Sequence, residues 1–287
     1  MNEQDETGLS LDQSGFARVA EIAFREAGLN IPEAKQSMVQ SRLARRLQAT
    51  GHSSFSGYLD YVESANGGAE VSQFISALTT NVSSFFREEH HFSMLREQII
   101  PNLVKKLQNG QRVRVWSAGC STGQEPYSIA ITLLESNSIF SSGDIRILAT
   151  DIDNKVLSAA KQGSFDQRQM SDIDNRIKGK YFEGAREHES FEASQTLKDM
   201  ISFRKLNLIE DWPMNGLFDV IFCRNVLIYF SEDTQCTLWP KFHRYLQEDG
   251  VLFIGHSERV TDPEKVGFQP SGITTYRRSK PNHGATT

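Results

Sequence analysis

The sequence predicts an α/β protein in which a helical first part precedes a parallel sheet with helices on both faces. Apolar residues recur at three- and four-residue steps through residues 11–108. From a polar turn at 109–111 onward, short apolar strands alternate with helices, a pattern typical of parallel sheets. A charge-rich stretch at 164–204 interrupts the alternation, and we interpret it as a small β insertion. The expected domains are therefore 11–108, helical, and 109–280, α/β, with the insertion inside the second.

The helical part is divided by glycine and proline residues, which end helices. The sequence predicts helices, in chain order, at about 11–28, 33–49, 54–64 and 70–79, and one that starts near Arg87 and breaks at Pro101. Ser83 or Ser84 has the residue type expected for the N-cap of that last helix.

The α/β part contains four apolar runs that predict strands. They lie at 112–118, 144–150, 218–223 and 251–255. Helices are expected between and after them at 125–136, 154–163 and 232–247. Residues 272–278 are expected to return antiparallel to the last of these strands.

The composition argues against several classes of protein. A net charge of −5 does not suit a chain that binds nucleic acid along its length. The three cysteines are odd in number and match no zinc spacing, which favours a reduced, cytoplasmic protein without a metal site. No apolar run is long enough to span a membrane, and the acidic N-terminus does not resemble a signal peptide. The polar tails, 1–10 and 279–287, are expected to be disordered.

The most informative stretch is 115–128, where an apolar strand runs into a turn of small residues and then into a helix. Gly119 and Gly123 allow positive φ or a close approach of a ligand to the backbone. Glu125, at the start of the helix, can accept a hydrogen bond from an ammonium group. Asp151 ends the next strand, where an acid can bind both hydroxyls of a ribose. This order of strand, glycine loop, helix, strand and acid is the one that a site for S-adenosylmethionine needs.

Two other interpretations of the same loop stay open. Gly119 to Gly123 also match G-x-S-x-G, the nucleophile elbow of α/β-hydrolases, with Ser121 as nucleophile, Asp219 as acid and His256 as base. Such hydrolases have several strands before the elbow and an oxyanion segment, and this sequence shows neither. The remaining interpretation is a turn that has only a structural role.

Several motifs together resemble the CheR family of chemotaxis receptor methyltransferases. The resemblance extends from about Phe16 to Tyr276, nearly the whole chain. Its motifs, in order, are LTTNVSSFFRE at 78–88, VRVWSAGCSTGQEPYSIAITL at 113–133, TDID at 150–153, NL at 207–208, FCRNVLIYF at 222–230 and GHSE at 255–258. Ser83 stands where family members often carry threonine, which keeps the hydroxyl group. Gln124 stands where an acid is common, which makes Glu125 the expected partner of the ligand's ammonium group.

This resemblance implies a Rossmann-like methyltransferase sheet, an all-helical N-terminal domain and a small β-subdomain. It also implies methyl transfer from S-adenosylmethionine to glutamate side chains of chemoreceptors, with S-adenosylhomocysteine as the product. The residues expected to bind the cofactor are Asn81, Ser83, Arg87, Gly119, Glu125, Asp151, Asn207, Leu208, Asn225 and Val226. A protein that binds a nucleoside without catalysing a reaction is a further alternative.

The expected reaction needs no general base, because a glutamate with a pKa near 4.3 is already ionised at neutral pH. The protein would align the carboxylate and exclude water from it. Arg87 and Tyr229 are the candidates for orienting that carboxylate.

A basic segment at 35–48 is the candidate docking surface for an acidic partner. Lys35, Arg42, Arg45 and Arg46 fall within an arc of about 100° on a helix, with no acid between them. The resemblance makes the methylation helices of chemoreceptors the expected partner, and we expect a monomer that neither binds nucleic acid nor inserts into the membrane. The short loop around Gly184, Ala185 and Arg186 argues against strong tethering of a receptor peptide by the insertion.

Overall fold

A computed structural model describes residues 10–184 and 190–279 of the chain. The chain divides into a helical unit, with residues up to Thr80 and 229–231, and an α/β unit, with 81–228 and residues from Glu232 onward. The sequence pattern predicts this division at 108/109. The helices between 89 and 108 belong instead to the α/β unit, because their apolar side chains share a core with the sheet. Most of the polar tails and residues 185–189, including Ala185 and Arg186, lie outside the described residues.

From residue 10 onward, where the structure describes the chain, the helical unit contains four α-helices close to the predicted positions. They are α1 (Gln13–Ala27), α2 (Gln36–Thr50), α3 (Phe55–Glu63) and α4 (Gly68–Leu78), with a 3-10 turn at Glu33–Lys35 before α2. The Asp12 side chain caps α1 by accepting a hydrogen bond from the amide of Gly15 at 2.7 Å. Gly28 and Gly51 end α1 and α2 in the left-handed conformation, at φ of 68° and 73°.

One face of α2 packs in the core of this unit, and part of its basic face does as well. Val39, Leu43 and Leu47, which follow one another at four-residue steps, are fully buried. Arg46 donates two hydrogen bonds to the buried carboxylate of Glu70 on α4, at 2.9 and 2.6 Å. The phenol of Tyr58 donates a third to Glu70, at 2.7 Å. The pair therefore joins α2 to α4 through a bidentate contact between two charged groups.

Arg42 also faces the unit rather than solvent. Its guanidinium donates to the carbonyl oxygens of Leu78 at 3.0 Å and Thr79 at 2.9 Å, at the end of α4, where carbonyl groups lack helical partners. Two of the four basic residues in the predicted docking surface are therefore bonded within the helical unit, and the docking role itself stays a prediction. Glu70 and the α4 carbonyl groups, far from α2 in sequence, bind two of them, and Lys35 and Arg45 remain exposed.

The α/β unit is built on a seven-stranded sheet with the order β6-β2-β1-β7-β8-β10-β9. Its strands are β1 (Val113–Ala118), β2 (Ile145–Asp151), β6 (Ile201–Lys205), β7 (Phe218–Cys223), β8 (Leu246–Ile254), β9 (Phe268–Gly272) and β10 (Thr275–Arg278). The first five strands are parallel, and β10 is antiparallel to β8, as predicted for 272–278. All six residues of β7 are buried, which explains why every residue of this strand except Asp219 is apolar.

Helices cover this sheet and supply most of the remaining core. They are α5 (Glu89–Met94), α6 (Ile100–Gln108), α7 (Gln124–Ser136), α8 (Asn154–Gln162), α10 (Gln195–Met200) and α11 (Glu232–Tyr245). Pro101 does not break the chain's helical course, because it stands in the first turn of α6, where its missing N–H has no helical partner. A π-helical turn at Leu95–Ile99 joins α5 to α6. Within the two ranges described, none of the helices is long and apolar enough to cross a bilayer.

The insertion forms a separate three-stranded sheet in the order β3-β5-β4. Its elements are β3 (Ser164–Asp166), α9 (Asn175–Tyr181), β4 (Phe182–Glu183) and β5 (Ser190–Ala193). The segment Ile201–Lys205, which the sequence analysis assigned to the insertion, is instead the edge strand β6 of the large sheet. It pairs in parallel with β2, where its half-buried side chains complete the edge.

We expect Arg46→Met to lower the free energy of unfolding by about 3 kcal/mol, because it leaves the buried carboxylate of Glu70 without its cation. Arg45→Ala is the matched control, since Arg45 is exposed on the same helix, and it should change stability by less than about 0.5 kcal/mol. Urea unfolding followed by circular dichroism measures both variants. Equal stability of the two would show that the Arg46–Glu70 pair contributes nothing to the fold.

Candidate active site

The loops that follow the parallel strands meet at one edge of the large sheet. In the sheet, β1 lies between β2 and β7. The chain passes from β1 to β2 on one side and later enters β7 on the other side of β1, and this reversal creates a crevice at the carboxyl ends of these strands. The polar motifs found in the sequence fall at this edge. Gly119 follows β1, Asp151 ends β2, Asn207 follows β6, and Asn225 follows β7.

The glycine loop after β1 has the backbone that the sequence predicts. Gly119 and Gly123 have φ of 80° and 99°, and Ser121 between them also has a positive φ of 49°. A Cβ atom on Gly119 would lie 2.2 Å from Cγ2 of Val226. The structure therefore brings Gly119 and Val226 together, and glycine is required because the loops after β1 and β7 approach closely.

Asp151 is buried against this loop. Its Oδ2 atom accepts a hydrogen bond from the amide of Ser121 at 2.8 Å, and its Oδ1 atom accepts one from the amide of Asp153 at 3.0 Å. Burial raises the pKa of Asp151, and the two amide donors oppose that rise. Each oxygen keeps a further lone pair, so the carboxylate can still accept hydrogen bonds from a ribose diol.

The chain before α5 forms an irregular stretch, which we call the 81–88 segment. At its start, the side-chain amide of Asn81 donates to Oδ2 of Asp153 at 3.1 Å. The backbone carbonyl of Asn81 accepts from the Ser121 hydroxyl at 2.8 Å. Neither Ser83 nor Ser84 caps a helix, which corrects the N-cap prediction. The helix begins at Glu89, because Glu88 takes up a left-handed backbone conformation at φ 58° just before it.

A buried ion-pair cluster closes the other end of this segment. The Arg224 guanidinium, whose side chain is 2% exposed, lies 3.4 Å from a carboxylate oxygen of Glu88 and 3.2 Å from one of Glu125. It also donates to the backbone carbonyl of Arg87. Ser117 donates to the second oxygen of Glu125 at 2.7 Å. Burial raises the pKa of Glu125, and the charge of Arg224 opposes that rise.

Glu88 connects this cluster to the loops after β7 and β8. Its carboxylate accepts from the ring nitrogen Nδ1 of His256 at 2.9 Å and from the Asn225 amide at 3.3 Å. Burial acts to raise the pKa of Glu88. The hydrogen bonds from His256 and the charge of Arg224 outweigh burial and lower this pKa to about 2. Glu88 is therefore ionised at neutral pH.

Glu258 is a further buried acid of this site, and no role for it was predicted from the sequence. It is 3% exposed, and its carboxylate accepts from the backbone amides of Asn225 at 3.1 Å, Leu227 at 2.7 Å and Ile228 at 3.3 Å, and from that of Gly255. These bonds fix the loop in which Asn225 has a φ of 58°. The only signal in the sequence is the GHSE motif, which shows an acid after an apolar strand but not which amides it binds.

The other predicted site residues have varied surroundings. Asn207 and Leu208 form a turn after β6, in which the Leu208 carbonyl accepts from the Trp212 indole at 3.1 Å. The Arg87 side chain is half-buried, and no hydrogen bond or ion pair engages its guanidinium within the described residues. Tyr229 belongs to the helical unit, where its hydroxyl donates to the Thr80 carbonyl at 3.2 Å.

The structure does not assemble the hydrolase triad. The Ser121 hydroxyl is bonded to the Asn81 carbonyl. Asp219 lies near the start of β7, where it pairs with Lys106 and accepts from the amide of Arg114 at 2.8 Å. His256 is bonded to Glu88. The three residues therefore have separate partners, and Asp219 is at the opposite end of its strand from the glycine loop.

Ligand atoms of Glu88, His90 and His91 come within 4.8 Å of one another, so a metal ion also has to be considered. The Arg224 guanidinium, 3.4 Å from the Glu88 carboxylate, already supplies positive charge there and would repel a cation. Burial and Arg224 lower the pKa of His91 to about 3, and its Nε2 atom bonds Thr274 at 2.9 Å. Because Arg224 already pairs with the Glu88 carboxylate, we assign no metal to this cluster.

Comparisons with known proteins agree with the two units. The family model described as "CheR methyltransferase, all-alpha domain" matches residues 14–79, and "CheR methyltransferase, SAM binding domain" matches 81–277. A probable chemotaxis protein methyltransferase of Rhizobium etli is 43% identical over 258 residues, which are 89% of this chain and 96% of the relative. Chemotaxis protein methyltransferases of Borreliella burgdorferi and Escherichia coli are 36% and 38% identical. They cover 91% and 95% of this chain and 93% of each relative.

His91 should make the stability of the protein sensitive to mild acid. Its pKa is about 3 in the fold, below the ordinary value of 6.5, so between these values the unfolded chain binds a proton that the native state does not. Stability due to His91 is therefore complete above pH 6.5 and is lost as pH falls toward 3, by up to about 1.4 kcal/mol per pH unit. Urea unfolding at pH 7, 6 and 5 should show a shallower decline in His91→Gln than in the wild type. His90→Gln, at the exposed neighbour, should keep the wild-type decline, and parallel declines in all three proteins would contradict this role of His91.

Proposed function

Because the chain belongs to the CheR family of S-adenosylmethionine-dependent chemotaxis methyltransferases, we propose that it methylates glutamate side chains of chemoreceptors. The protein acts as a monomer in the cytoplasm, on the methylation helices of the receptors. The observation that carries the choice of a carboxylate is Arg87. Its guanidinium is half-buried, has no partner within the described residues, and stands in a segment bonded to the glycine loop. A cation so placed can receive the carboxylate of a substrate.

The residues at the carboxyl edge of the sheet fit the cofactor. Asp151 keeps lone pairs for the ribose hydroxyls while two backbone amides hold it in place. Glu125 offers a carboxylate for the amino group, although it shares its charge with Arg224. The expected contacts of Asn81, Ser83, Gly119, Asn207, Leu208, Asn225 and Val226 stay predictions. When bound, S-adenosylmethionine supplies a methyl group that a sulfonium activates for transfer.

The chemistry left to the protein is alignment. A glutamate is ionised at neutral pH, so no side chain has to remove a proton from it. Arg87 orients this carboxylate, and the buried loops after β1 and β7 exclude water from it. The role of Tyr229 in orienting the substrate stays a prediction. Ser121 has no part as a nucleophile, because its hydroxyl holds the 81–88 segment.

The docking surface on the helical unit is smaller than the sequence suggests. Arg42 and Arg46 hold α4, so Lys35 and Arg45 are the exposed basic residues of this helix face. An acidic methylation helix would meet these two charges first. Contacts of this kind raise the rate of encounter and favour one register of the partner helix more than they add affinity.

We expect the purified protein to transfer labelled methyl groups to receptor-rich membranes as base-labile esters, which is how glutamate methyl esters behave. Asp151→Ala should weaken binding of S-adenosylmethionine and S-adenosylhomocysteine by about tenfold or more in calorimetry, because it removes a charged acceptor of hydrogen bonds. Ser121→Ala should retain much of the methyl transfer, and a fluorophosphonate probe should not label Ser121.

The outcomes of this experiment separate the alternatives. Cofactor binding without methyl transfer to any receptor would favour a non-catalytic nucleoside-binding protein. Label that resists base would exclude a carboxylate ester. Labelling of Ser121 by the probe would revive the hydrolase.

Changing Lys35 and Arg45 together to Ala should raise the apparent KM for receptor about twofold to thirtyfold, since each exposed charge contact contributes about 0.2–1 kcal/mol. Affinity for S-adenosylhomocysteine should not change. Added salt should weaken the wild type more than the variant, because exposed charge pairs are screened. The control changes the exposed Lys105 and Arg112 of the α/β unit to Ala, with the same loss of charge. Equal KM values for the two double variants would place receptor docking elsewhere.

A further inference from the structure

We propose that Arg224 is a positioning residue that holds both the Glu125 side chain and the backbone of Arg87 in place for the reaction. This inference rests on the proposed function, which uses Glu125 and Arg87 at the cofactor and substrate. Arg224 itself is not expected to touch either ligand. It acts through the two residues that do.

The guanidinium of Arg224 is planar, so its donors point in fixed directions. One terminal nitrogen, Nη1, lies 3.2 Å from Glu125, and the other, Nη2, lies 3.4 Å from Glu88 and donates to the Arg87 carbonyl. A flat group with fixed donor directions ties two acceptors, Glu125 and the Arg87 carbonyl, at set angles, which a flexible ammonium group does not do, and its charge also lies beside Glu88. The positions of these acceptors therefore depend on arginine and not only on a positive charge.

The groups around Arg224 come from two separate parts of the chain. Glu125 is in the first turn of α7, after the glycine loop, and Arg87 and Glu88 end the 81–88 segment. Arg224 directly follows β7, the strand next to β1 in the sheet. The far end of the segment is tied to the glycine loop by the bond between Asn81 and Ser121, and to the chain after β2 by the bond of Asn81 to Asp153. Without Arg224, the link between Glu125 and the Arg87 carbonyl would be lost, whereas Glu88 would keep its bonds to His256 and Asn225.

Arg224 is buried, which distinguishes it from the residues that are expected to contact ligands. Its side chain is 2% exposed and lies over the Phe92 ring at 5.7 Å. Protein groups surround its two terminal nitrogens, whereas the Arg87 side chain is half-buried and has no partner within the described residues. A substrate carboxylate can therefore reach Arg87 and not Arg224.

The positioning role of Arg224 can be tested apart from its contribution to the stability of the fold. Removing one partner of a buried ion pair destabilises a protein strongly, whereas replacing both by neutral groups of similar shape is often tolerated. Arg224→Met combined with Glu88→Gln removes the cation and one of its two anions, so the local charge stays balanced. This double variant should fold, and what it loses is the link between Glu125 and the Arg87 carbonyl.

The experiment compares this double variant with two others. Arg224→Lys keeps the charge and removes the planar fork. The control is Lys106→Met with Asp219→Asn, which removes a comparable ion pair at the opposite end of the same strand, β7. Glu88→Gln alone measures the share of Glu88. Each full-length protein is tested for melting temperature, for binding of S-adenosylhomocysteine by calorimetry, and for hydrogen exchange of 81–88 without ligand.

We expect the Arg224→Met/Glu88→Gln variant to bind S-adenosylhomocysteine about tenfold to a hundredfold more weakly, since small displacements of aligned groups have effects of this size. Its 81–88 amides should exchange faster, and at saturating cofactor kcat should fall while the receptor KM is unchanged. Arg224→Lys should show the same changes in smaller measure. The Lys106→Met/Asp219→Asn control should melt at a lower temperature but bind and exchange as the wild type does.

Wild-type affinity and exchange in either Arg224 variant would overturn the proposal, and Arg224→Lys decides alone if the double variant does not fold. A full loss in Glu88→Gln alone would move the role to Glu88 and would also overturn it. If the wild type binds S-adenosylhomocysteine but methylates no glutamate, the proposed function fails while the binding and exchange results still decide the role of Arg224.

Discussion

The site depends on the hydrogen bonds and ion pairs that engage buried carboxylates at the ends of the parallel strands. Asp151, Glu125, Glu88 and Glu258 lie close to the same edge, and an unpaired buried carboxylate is strongly destabilising. Backbone amides bind Asp151 and Glu258, and Arg224 and His256 bind the other two acids. Because these donors come from loops that follow different strands, satisfying the acids also fixes the loops. The requirement to satisfy polar groups thus shapes the site before any ligand binds.

The backbone of the site carries strain that these contacts hold. Phe86, Glu88, Ser121 and Asn225 have φ between 49° and 58°, where residues other than glycine are uncommon. Each such residue disfavours the fold by about 1 kcal/mol or more, so surrounding contacts have to impose it. The acids supply those contacts: Asp151 binds the amide of Ser121, and Glu258 binds that of Asn225. Strained positions and buried acids therefore occur together.

The sequence predicts what is local and misses what depends on distant partners. The strands, the helix ends at Gly28, Gly51 and Gly163, and the order of motifs follow from periodicity and turn chemistry over a few residues. The exposure of Arg42 and Arg46 could not be predicted in the same way, because their partners lie 24 to 37 residues away on α4. The division at Thr80 was missed for a similar reason. A helical pattern at 89–108 does not show that its apolar face packs on a sheet that begins later in the chain.

Acids outnumber bases at this edge of the sheet. This excess affects how a positively charged cofactor and a negatively charged substrate can both bind there. Burial raises the pKa of Asp151, Glu125 and Glu258, and together with Glu88 these acids outnumber the buried cation Arg224 beside them. Such surroundings favour a sulfonium and an ammonium group, and they disfavour the carboxylate of the proposed substrate. The half-buried Arg87 offsets this repulsion at one point, where a carboxylate would be oriented. The buried Arg224 cannot take that part, because its charge is already shared between two acids. In the proposed reaction the opposite charges of sulfonium and carboxylate disappear, so loops that exclude water favour it, provided that Arg87 orients the carboxylate without holding it so tightly that it no longer reacts.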